Sequence, residues 1–432
     1  MQISAGPVVT GENFYKGRQN LVVEFGRLLA TGDVLVAGPR RTGKTSLIKE
    51  HCSKLEAETS TFIYIDLENV ETLYELYTRI IKELTTRLSK RHQIFANVAD
   101  FLKSTSTRLS KVFGTTEVDI SGLMGTPGVL KTSFKFPLYD ESTANELAKI
   151  IKETLDNFNN EKLVLILDEF AEVIWKIGSR ENKKDQYAIR KAHAAHLLST
   201  IRMLHQDRNS ETKYRIVLAG SVNIEETAKF LQVSEYLNHL QRLKVPNLNQ
   251  SQAADLFFLL TDSNDILLEQ EKNEVAIFLE KQFGNVSPFY IQCYAELLKN
   301  IILQQKEGYR ITQSDLKQCV KQLLTDTHRG LNWLKGRISK YYPDQEKIIL
   351  SILESIAKFQ FPNGKGISEE EIFIGDKISN KMSRLEKTEL LQKLISDDFI
   401  SYSGDKHIAI PSKLALSYWN YKLVNEKFLY DT

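Results

Sequence analysis

The first half of the chain alternates between short apolar runs rich in β-branched residues and longer segments with apolar residues at helical spacing. The short runs predict strands at Val34–Ala37, Phe62–Leu67, Leu163–Leu167, Ile216–Ala219 and Leu243–Val245. The intervening segments predict helices near Thr45–Leu55, from Leu73 to Leu88, from Thr143 to Leu155 and around Tyr187–His205. Because strands that alternate with helices form parallel crossovers, the pattern predicts a three-layer α/β domain with a parallel sheet.

Two stretches interrupt this alternation. Residues 91–141 are rich in Ser, Thr and Gly and predict an insertion that is partly loop and partly hairpin, and residues 176–186 predict a solvated loop. From about residue 249 to residue 341 the pattern is purely helical. Within it, Thr312 is expected to cap a helix, with Asp315 three residues further on.

The pattern changes again after Pro343. A helix over Lys347–Ile356 is followed by a loop containing proline and glycine (FPNGKG), two shorter helices and a hairpin. The hairpin is formed by Phe399–Ser403 and His407–Ile410, with Gly404 in a tight turn. Helices that end in a β-hairpin predict a winged helix-turn-helix.

Composition excludes several classes of protein. With 42% hydrophobic residues, the chain is not expected to be disordered. It has 57 Lys and Arg against 55 Asp and Glu, and this net charge of +2 is too small to attract the whole protein to nucleic acid or to an anionic membrane. Its three cysteines, Cys52, Cys293 and Cys319, form no C-x-x-C pair, which fits a reducing compartment. No secretory signal and no apolar run of about 20 residues is visible. We therefore expect a cytoplasmic protein that is not in a membrane.

The segment GPRRTGKT at residues 38–45 fits the pattern G-x-x-x-x-G-K-[ST] between a strand and a helix. Its glycines let backbone N–H groups surround phosphate oxygens at the positive end of the helix dipole. Lys44 is expected to bridge the β- and γ-phosphates, and the Thr45 hydroxyl to ligate Mg²⁺. The residues expected to bind nucleotide here are Gly38, Pro39, Arg40, Arg41, Thr42, Gly43, Lys44, Thr45 and Ser46.

A second motif completes such a site. The apolar strand Leu163–Leu167 ends in Asp168 and Glu169. We expect Asp168 to hold Mg²⁺ and Glu169 to activate the attacking water as general base. The strand Ile216–Ala219 leads to Ser221 and Asn223, whose side chains would reach the γ-phosphate or the water. An ordinary strand-to-turn transition explains this last stretch equally well.

The sequences FYKGR (Phe14–Arg18), GPRRTGKTSL, LVLILDEF and VLAGSVN together resemble the archaeal-type ATPases of the STAND class, in the AAA+ and replication-initiator branch of P-loop NTPases. GNVSPFYIQ, at residues 284–292, is similar to the Gly-x-Pro lid motif of that class, with extra residues before Pro288. The resemblance implies ATP and Mg²⁺ as cofactors. It places near the base the residues Phe14, Tyr15, Gly17 and Arg18, and near the nucleotide Pro288.

The resemblance also implies an arginine finger from a neighbouring subunit. The candidates are Arg202 and Arg242, although a solvated or salt-bridged arginine is the more common state. His193 and His196 share a helix face, but with no third ligand evident we interpret them as part of an amphipathic face rather than a metal site.

Three domains are expected: a P-loop NTPase domain over 1–247 with the insertion 91–141, a helical lid over 248–341, and a winged helix over 342–432. The main hypothesis is an ATP-hydrolysing switch that controls homo-oligomerisation or a separately encoded effector protein, a role the resemblance connects with antiviral defence. The alternatives are a DNA-binding initiator or loader ATPase and a nucleotide-binding scaffold without turnover. Residues 340–432 carry 13 Lys and Arg against 14 Asp and Glu, which favours a protein contact over DNA.

Overall fold

The computed structural model describes residues 1–55, 60–91, 104, 108, 141–156, 162–177, 186–206, 214–220, 224–325, 331–373, 382–403 and 407–425. The chain divides into two compact units. The sheet unit consists of Val23–Ala37 and His51–Leu243. The helical unit consists of Met1–Val22, Gly38–Glu50 and Lys244–Thr432.

Five strands build the sheet of the sheet unit, in the order β2-β3-β4-β1-β5. They are β1 (Val34–Ala37), β2 (Ser60–Asp66), β3 (Lys162–Asp168), β4 (Tyr214–Gly220) and β5 (Gln241–Lys244). β3 pairs in parallel with both β2 and β4, and β4 pairs in parallel with β1. The predicted strands and the parallel sheet are therefore confirmed, with strand ends that differ by a few positions.

Helices alternate with these strands along the described chain. Up to residue 240 they are α1 (Gln19–Thr31), α2 (Lys44–Leu55), α3 (Leu73–Arg91), α4 (Glu141–Asp156), α5 (Phe170–Lys176), α6 (Gln186–Gln206) and α7 (Ile224–Phe230). α4 begins at Glu141 rather than at the predicted Thr143, because an acidic residue in the first turn suits the positive end of the helix dipole. β3 is buried from Leu163 to Asp168, as expected for a strand covered on both faces.

Several predictions concern residues whose structure is not described. Most of the insertion 91–141 and most of the loop 176–186 lie outside the described residues, as do Ser221, Asn223 and the hairpin-turn residue Gly404. These predictions remain expectations.

The helical unit is mostly α-helical, as predicted. Its helices after residue 244 are α8 (Gln250–Asp262), α9 (Lys272–Phe283), α10 (Pro288–Leu303), α11 (Gln313–Thr325), α12 (Asn332–Tyr341), α13 (Glu346–Asn363), α14 (Glu369–Ile372), α15 (Arg384–Ser396) and α16 (Lys413–Trp419). One apolar core runs through them from Leu248 to Trp419. Two short strands, β6 (Ser401–Ser403) and β7 (His407–Ala409), form the predicted antiparallel hairpin.

Helix ends in this unit follow local capping chemistry. The predicted cap of α11 is confirmed, since Thr312 Oγ1 accepts the Asp315 N–H at 3.2 Å. α13 continues past Ile356 to Asn363, and Gly364 ends it in the left-handed conformation with φ of 64°. α15 begins after the capping residue Ser383, whose side-chain oxygen accepts the backbone N–H of Glu386. In the described part of the chain no helix is both long and apolar enough to span a membrane.

Candidate nucleotide-binding site

The glycine-rich loop starts directly after β1 and ends where α2 begins, at Lys44. A Cβ atom at Gly38 would lie 2.1 Å from the Val245 carbonyl oxygen, so only glycine fits there. Arg41 and Gly43 have positive φ, 65° and 86°, and nothing lies within 4 Å of a Cβ placed on Gly43. This open, tightly turned backbone before a helix N-terminus is the shape that receives phosphate oxygens.

Lys44 is folded back on the loop. Its Nζ donates to the carbonyl oxygens of Gly38 at 2.9 Å and Pro39 at 2.8 Å, and its side chain is buried. Thr42 Oγ1 also donates to the Pro39 carbonyl, at 2.8 Å. The positive charge therefore sits inside the loop, on neutral acceptors that phosphate oxygens would replace with stronger, charge-assisted bonds.

Arg18 braces the loop from the N-terminal segment. Its guanidinium donates to the carbonyl oxygen of Thr42 and, at 2.5 Å, to that of Pro246. Burial lowers the pKa of Arg18 to about 10. The same segment also contacts α2, because the Val9 N–H donates to Ser46 Oγ at 3.2 Å. Arg18 thus connects three separate parts of the helical unit.

The neighbouring candidates pack around this brace. Phe14 is buried, and a Cβ at Gly17 would meet the Tyr15 ring at 2.3 Å. Burial, reinforced by the negative charge of Asp255, raises the pKa of Tyr15. No ligand is needed to explain these contacts, so a role for Phe14, Tyr15, Gly17 and Arg18 in binding the base stays a prediction.

Arg41, an arginine of the loop itself, contacts the first turn of α10. The Arg41 guanidinium lies over the Phe289 ring, 3.9 Å from its centroid, and burial lowers the pKa of Arg41. Phe289 follows Pro288, the first residue of α10, whose fixed φ suits that position. Arg40, the other arginine of the loop, is only partly buried.

Asp168 ends β3 and is almost fully buried. Its Oδ2 accepts a hydrogen bond from the Tyr64 hydroxyl at 2.5 Å, and its Oδ1 accepts the Glu169 N–H at 3.0 Å. Glu169 has φ of 55°, a left-handed conformation that a non-glycine residue rarely adopts. Backbone strain of this kind persists where surrounding structure imposes it, and it is frequent at functional sites. Tyr64 is absent from the predicted site, since a tyrosine in the middle of a strand carries no motif.

The arginine-finger candidates differ in their surroundings. Arg242 donates through Nε to the Glu225 carboxylate, the salt-bridged state named above as the alternative. Arg202 lies on α6 and is partly buried. His196 shares hydrogen bonds with the Tyr77 hydroxyl at 3.1 Å and Asn145 Oδ1 at 3.2 Å, which fits its interpretation as part of a structural helix face.

The donor groups suit the expected ligands. Mg²⁺ prefers oxygen ligands, and Thr45 offers a hydroxyl and Asp168 a carboxylate. The loop offers a buried ammonium and turned backbone N–H groups, which suit a polyphosphate. These residues therefore fit ATP with Mg²⁺ in chemistry.

Residues 31–227 match the model of a family described as an AAA domain. The chain is similar in structure to the Walker-type ATPase paby2304 of Pyrococcus abyssi, at 15% identity and a TM-score of 0.60, over 97% of this chain and 100% of that chain. It is also similar to the ORC2 protein of Aeropyrum pernix in its ADPNP–ADP complexes, at 14% identity and a TM-score of 0.51, over 94% and 92% of the two chains. No curated protein sequence matches the chain.

These findings support an ATPase with an AAA domain over residues 31–227, and they show a likeness in fold to a Walker-type ATPase and to an ORC2 protein. The likeness to ORC2 is one of fold alone, so the expected place in the replication-initiator branch stays a prediction. The comparisons give no support to membership of the STAND class or to a role in antiviral defence.

Proposed function

We propose that the chain binds ATP with Mg²⁺ at residues 38–46 and hydrolyses it. Lys44 exchanges its two loop carbonyls for the β- and γ-phosphates, and the backbone N–H groups of the loop hold the same oxygens. Thr45 and Asp168, the ligands that the two sequence motifs predict, would hold Mg²⁺, and the ion would supply positive charge to the phosphates. Glu169 accepts a proton from the attacking water. The geometry of the loop carries this proposal, because it holds the buried Lys44 ammonium on loop carbonyls at a helix N-terminus, where phosphate oxygens bind.

The same contacts support a switch. Arg18 joins the loop to Pro246, and Arg41 joins it to Phe289. A phosphate that draws Lys44 and Arg41 toward itself would change the contacts of the segments before α8 and at the start of α10. Nucleotide state would thus be transmitted to the helices that follow.

The fold shared with the ORC2 protein favours the alternative that the sequence offers, a DNA-binding initiator or loader ATPase. On this proposal the helices α13–α15 with the hairpin β6–β7 act as a winged helix, and residues 342–432 are the DNA-binding domain. A second candidate is a switch that controls a protein partner or a second copy of the chain. It is favoured by the nearly equal numbers of basic and acidic residues in 340–432, since a DNA-binding domain normally carries an excess of positive charge.

Hydrolysis is tested with purified full-length protein and radiolabelled ATP. Lys44→Ala is expected to abolish detectable ATP binding, and Glu169→Gln to retain binding while losing at least about 100-fold in turnover, the scale of general base catalysis. Lys54→Ala is the matched control, since Lys54 is an exposed lysine near the end of α2. Wild-type turnover in Glu169→Gln would show that Glu169 is not the base, and wild-type binding in Lys44→Ala would refute the site.

The partner is tested by measuring duplex-DNA affinity and molecular mass with ATP, with ADP and without nucleotide. ATP-dependent DNA binding that disappears in Lys44→Ala supports the initiator-like function. An ATP-dependent increase in mass without DNA binding supports the protein switch. No dependence on ATP in either measurement would contradict both.

A further inference from the structure

Three potential metal ligands meet at the amino edge of the sheet, at the opposite end of β1 from the glycine-rich loop. Asp33 directly precedes β1, His205 lies in the last turn of α6, and His239 lies in the turn before β5. One ligand atom from each lies within 4.8 Å of the other two. All three belong to the sheet unit.

The Asp33 carboxylate is held rigidly. It is fully buried, and its Oδ1 accepts the backbone N–H of Ile216 in β4 at 2.8 Å. The carbonyl oxygen of Asp33 accepts the N–H of Gln241, the first residue of β5, at 2.8 Å. The bond from β5 therefore holds the backbone of Asp33, the bond from β4 holds its carboxylate, and Oδ2 meets His205.

The two histidine rings lie beside each other, and the His205 ring contacts that oxygen. His205 Nδ1 is 3.0 Å from Asp33 Oδ2, and the centroids of His205 and His239 are 4.6 Å apart with planes at 40°. His205 keeps 32% of its side chain exposed, so an ion from solvent can reach the cluster. Ligand atoms that already lie within 4.8 Å of one another need little rearrangement to share a metal ion.

We propose that Asp33, His205 and His239 bind a divalent transition metal ion, zinc in the first place. Two imidazole nitrogens and one carboxylate oxygen are ligands that zinc accepts in tetrahedral sites, with water in the fourth position. Bonds of about 2.0–2.1 Å in that geometry place neighbouring ligand atoms about 3.3 Å apart. The Nδ1–Oδ2 separation of 3.0 Å is close to that edge.

We expect zinc rather than ferrous iron, because zinc binds a given site of nitrogen and oxygen ligands with higher affinity than ferrous iron does. Binding puts the ion in the place of the proton between Nδ1 and Oδ2, and that proton moves to Nε2, so that His205 binds as a neutral imidazole. The ion would join β1, the end of α6 and the approach to β5. It serves architecture rather than hydrolysis, because the glycine-rich loop follows the other end of β1.

The competing explanation is a plain hydrogen bond between His205 and Asp33 that attaches α6 to the sheet. Such a pair needs no third partner, whereas a metal site depends on His239 as much as on His205. The substitution of His239 therefore separates the two explanations.

The test uses the full chain, freed of metal with a chelator and kept free of Mg²⁺ and nucleotide. Zinc affinity is measured by competition with a chromophoric chelator, and coordination by the visible absorption of added Co²⁺. We expect one tight site with a tetrahedral Co²⁺ spectrum, weakened at least about 10-fold by His239→Gln and by His205→Asn. His196→Gln is the matched control and should bind zinc as the wild type does.

Thermal unfolding of the metal-free proteins shows whether each variant is correctly folded. His205→Asn keeps an N–H donor toward Asp33, and both variants should unfold within a few degrees of the wild type. Wild-type zinc affinity in His239→Gln, an octahedral Co²⁺ spectrum, or no stoichiometric zinc binding at all would overturn the proposal. Lys44→Ala is measured alongside, and tight binding that disappears with Lys44 would place the ion at the loop and also overturn it.

Discussion

At the scale of single residues, the candidate site divides into side chains that a motif identifies and side chains that only the folded chain identifies. Lys44, Thr45 and Asp168 were predictable because phosphate and Mg²⁺ chemistry requires these residue types at fixed places after buried strands. Tyr64 and Val245 were not, although one donates to Asp168 and the other restricts Gly38 to glycine. Their importance arises from proximity across the sequence, which spacing along one segment does not encode.

Gly38 gives the first prediction. In Gly38→Ala the new methyl group would lie 2.1 Å from the Val245 carbonyl oxygen, and neither backbone can yield cheaply. We expect the free energy of unfolding to fall by about 1–3 kcal/mol and ATP binding to weaken, since the loop must shift. Urea unfolding and equilibrium ATP binding measure the two effects.

The control is Gly336→Ala in α12, where no atom lies within 4 Å of the added Cβ. Alanine has the higher helix propensity, so this variant should gain up to about 1 kcal/mol. A Gly38→Ala protein as stable as the wild type would show that the loop does not need this close approach.

Cys319 gives a prediction for alkaline pH. Burial raises the pKa of its thiol from 9.0 to about 12, so in this range the folded protein keeps a proton that the unfolded chain loses. The free energy of unfolding should therefore fall as pH rises above 9, by about 1.4 kcal/mol per pH unit from this group alone. Urea unfolding at several values of pH should give a shallower decline for Cys319→Ala than for the wild type. Equal slopes would contradict the shift.

At the scale of secondary-structure elements, periodicity located the helices and strands, and local chemistry decided where they end. The cap of α11 was predictable because Thr312 and Asp315 are three residues apart. The end of α13 was misplaced because FPN resembles a loop, yet those residues complete the last turn before Gly364. The strand order β2-β3-β4-β1-β5 could not be predicted from the sequence, because five apolar runs of similar length do not indicate which strands pair with each other.

A buried ion pair fixes α12 to the end of α15. Arg337 Nη2 lies 3.2 Å from Asp397 Oδ1, with about 5% of each side chain exposed, and the Tyr342 hydroxyl donates to Asp397 Oδ2 at 2.8 Å. Asp397→Ala leaves the guanidinium buried without its carboxylate, so the free energy of unfolding should fall by about 3–5 kcal/mol.

The control for Asp397→Ala is Glu354→Ala, which breaks an ion pair with Lys358 on the surface of α13. Solvent screens that pair, and the expected loss is below about 1 kcal/mol. Denaturant unfolding of the full chain compares the two. Equal losses of unfolding free energy would mean that breaking the buried ion pair of Arg337 is no more destabilising than breaking an exposed one.

At the scale of the whole molecule, the compact units do not follow the chain in order. Gly38–Glu50 groups with Met1–Val22 and with everything after Lys244. The sequence predicted the α/β class and the helical stretch from the alternation and its end near residue 249. It did not predict the contact of Arg18 with Pro246 or that of Arg41 with Phe289. Nor did it predict the meeting of Asp33 with His205, whose positions differ by 172.

The stack of Arg41 on Phe289 is one of these long-range contacts and gives the last prediction. The guanidinium lies 3.9 Å from the ring centroid, so each group should lose stabilisation when the other is removed. A double-mutant cycle with Arg41→Ala and Phe289→Leu should give a coupling of about 0.5–2 kcal/mol in the free energy of unfolding. Leucine keeps apolar volume while removing the aromatic face, so lost packing alone does not produce the coupling. The comparison cycle replaces Arg41→Ala with Arg40→Ala and should be additive within about 0.5 kcal/mol. Additivity of Arg41 with Phe289 would mean that the loop and α10 are not energetically connected through this stack, and it would remove one of the two contacts on which the proposed switch depends.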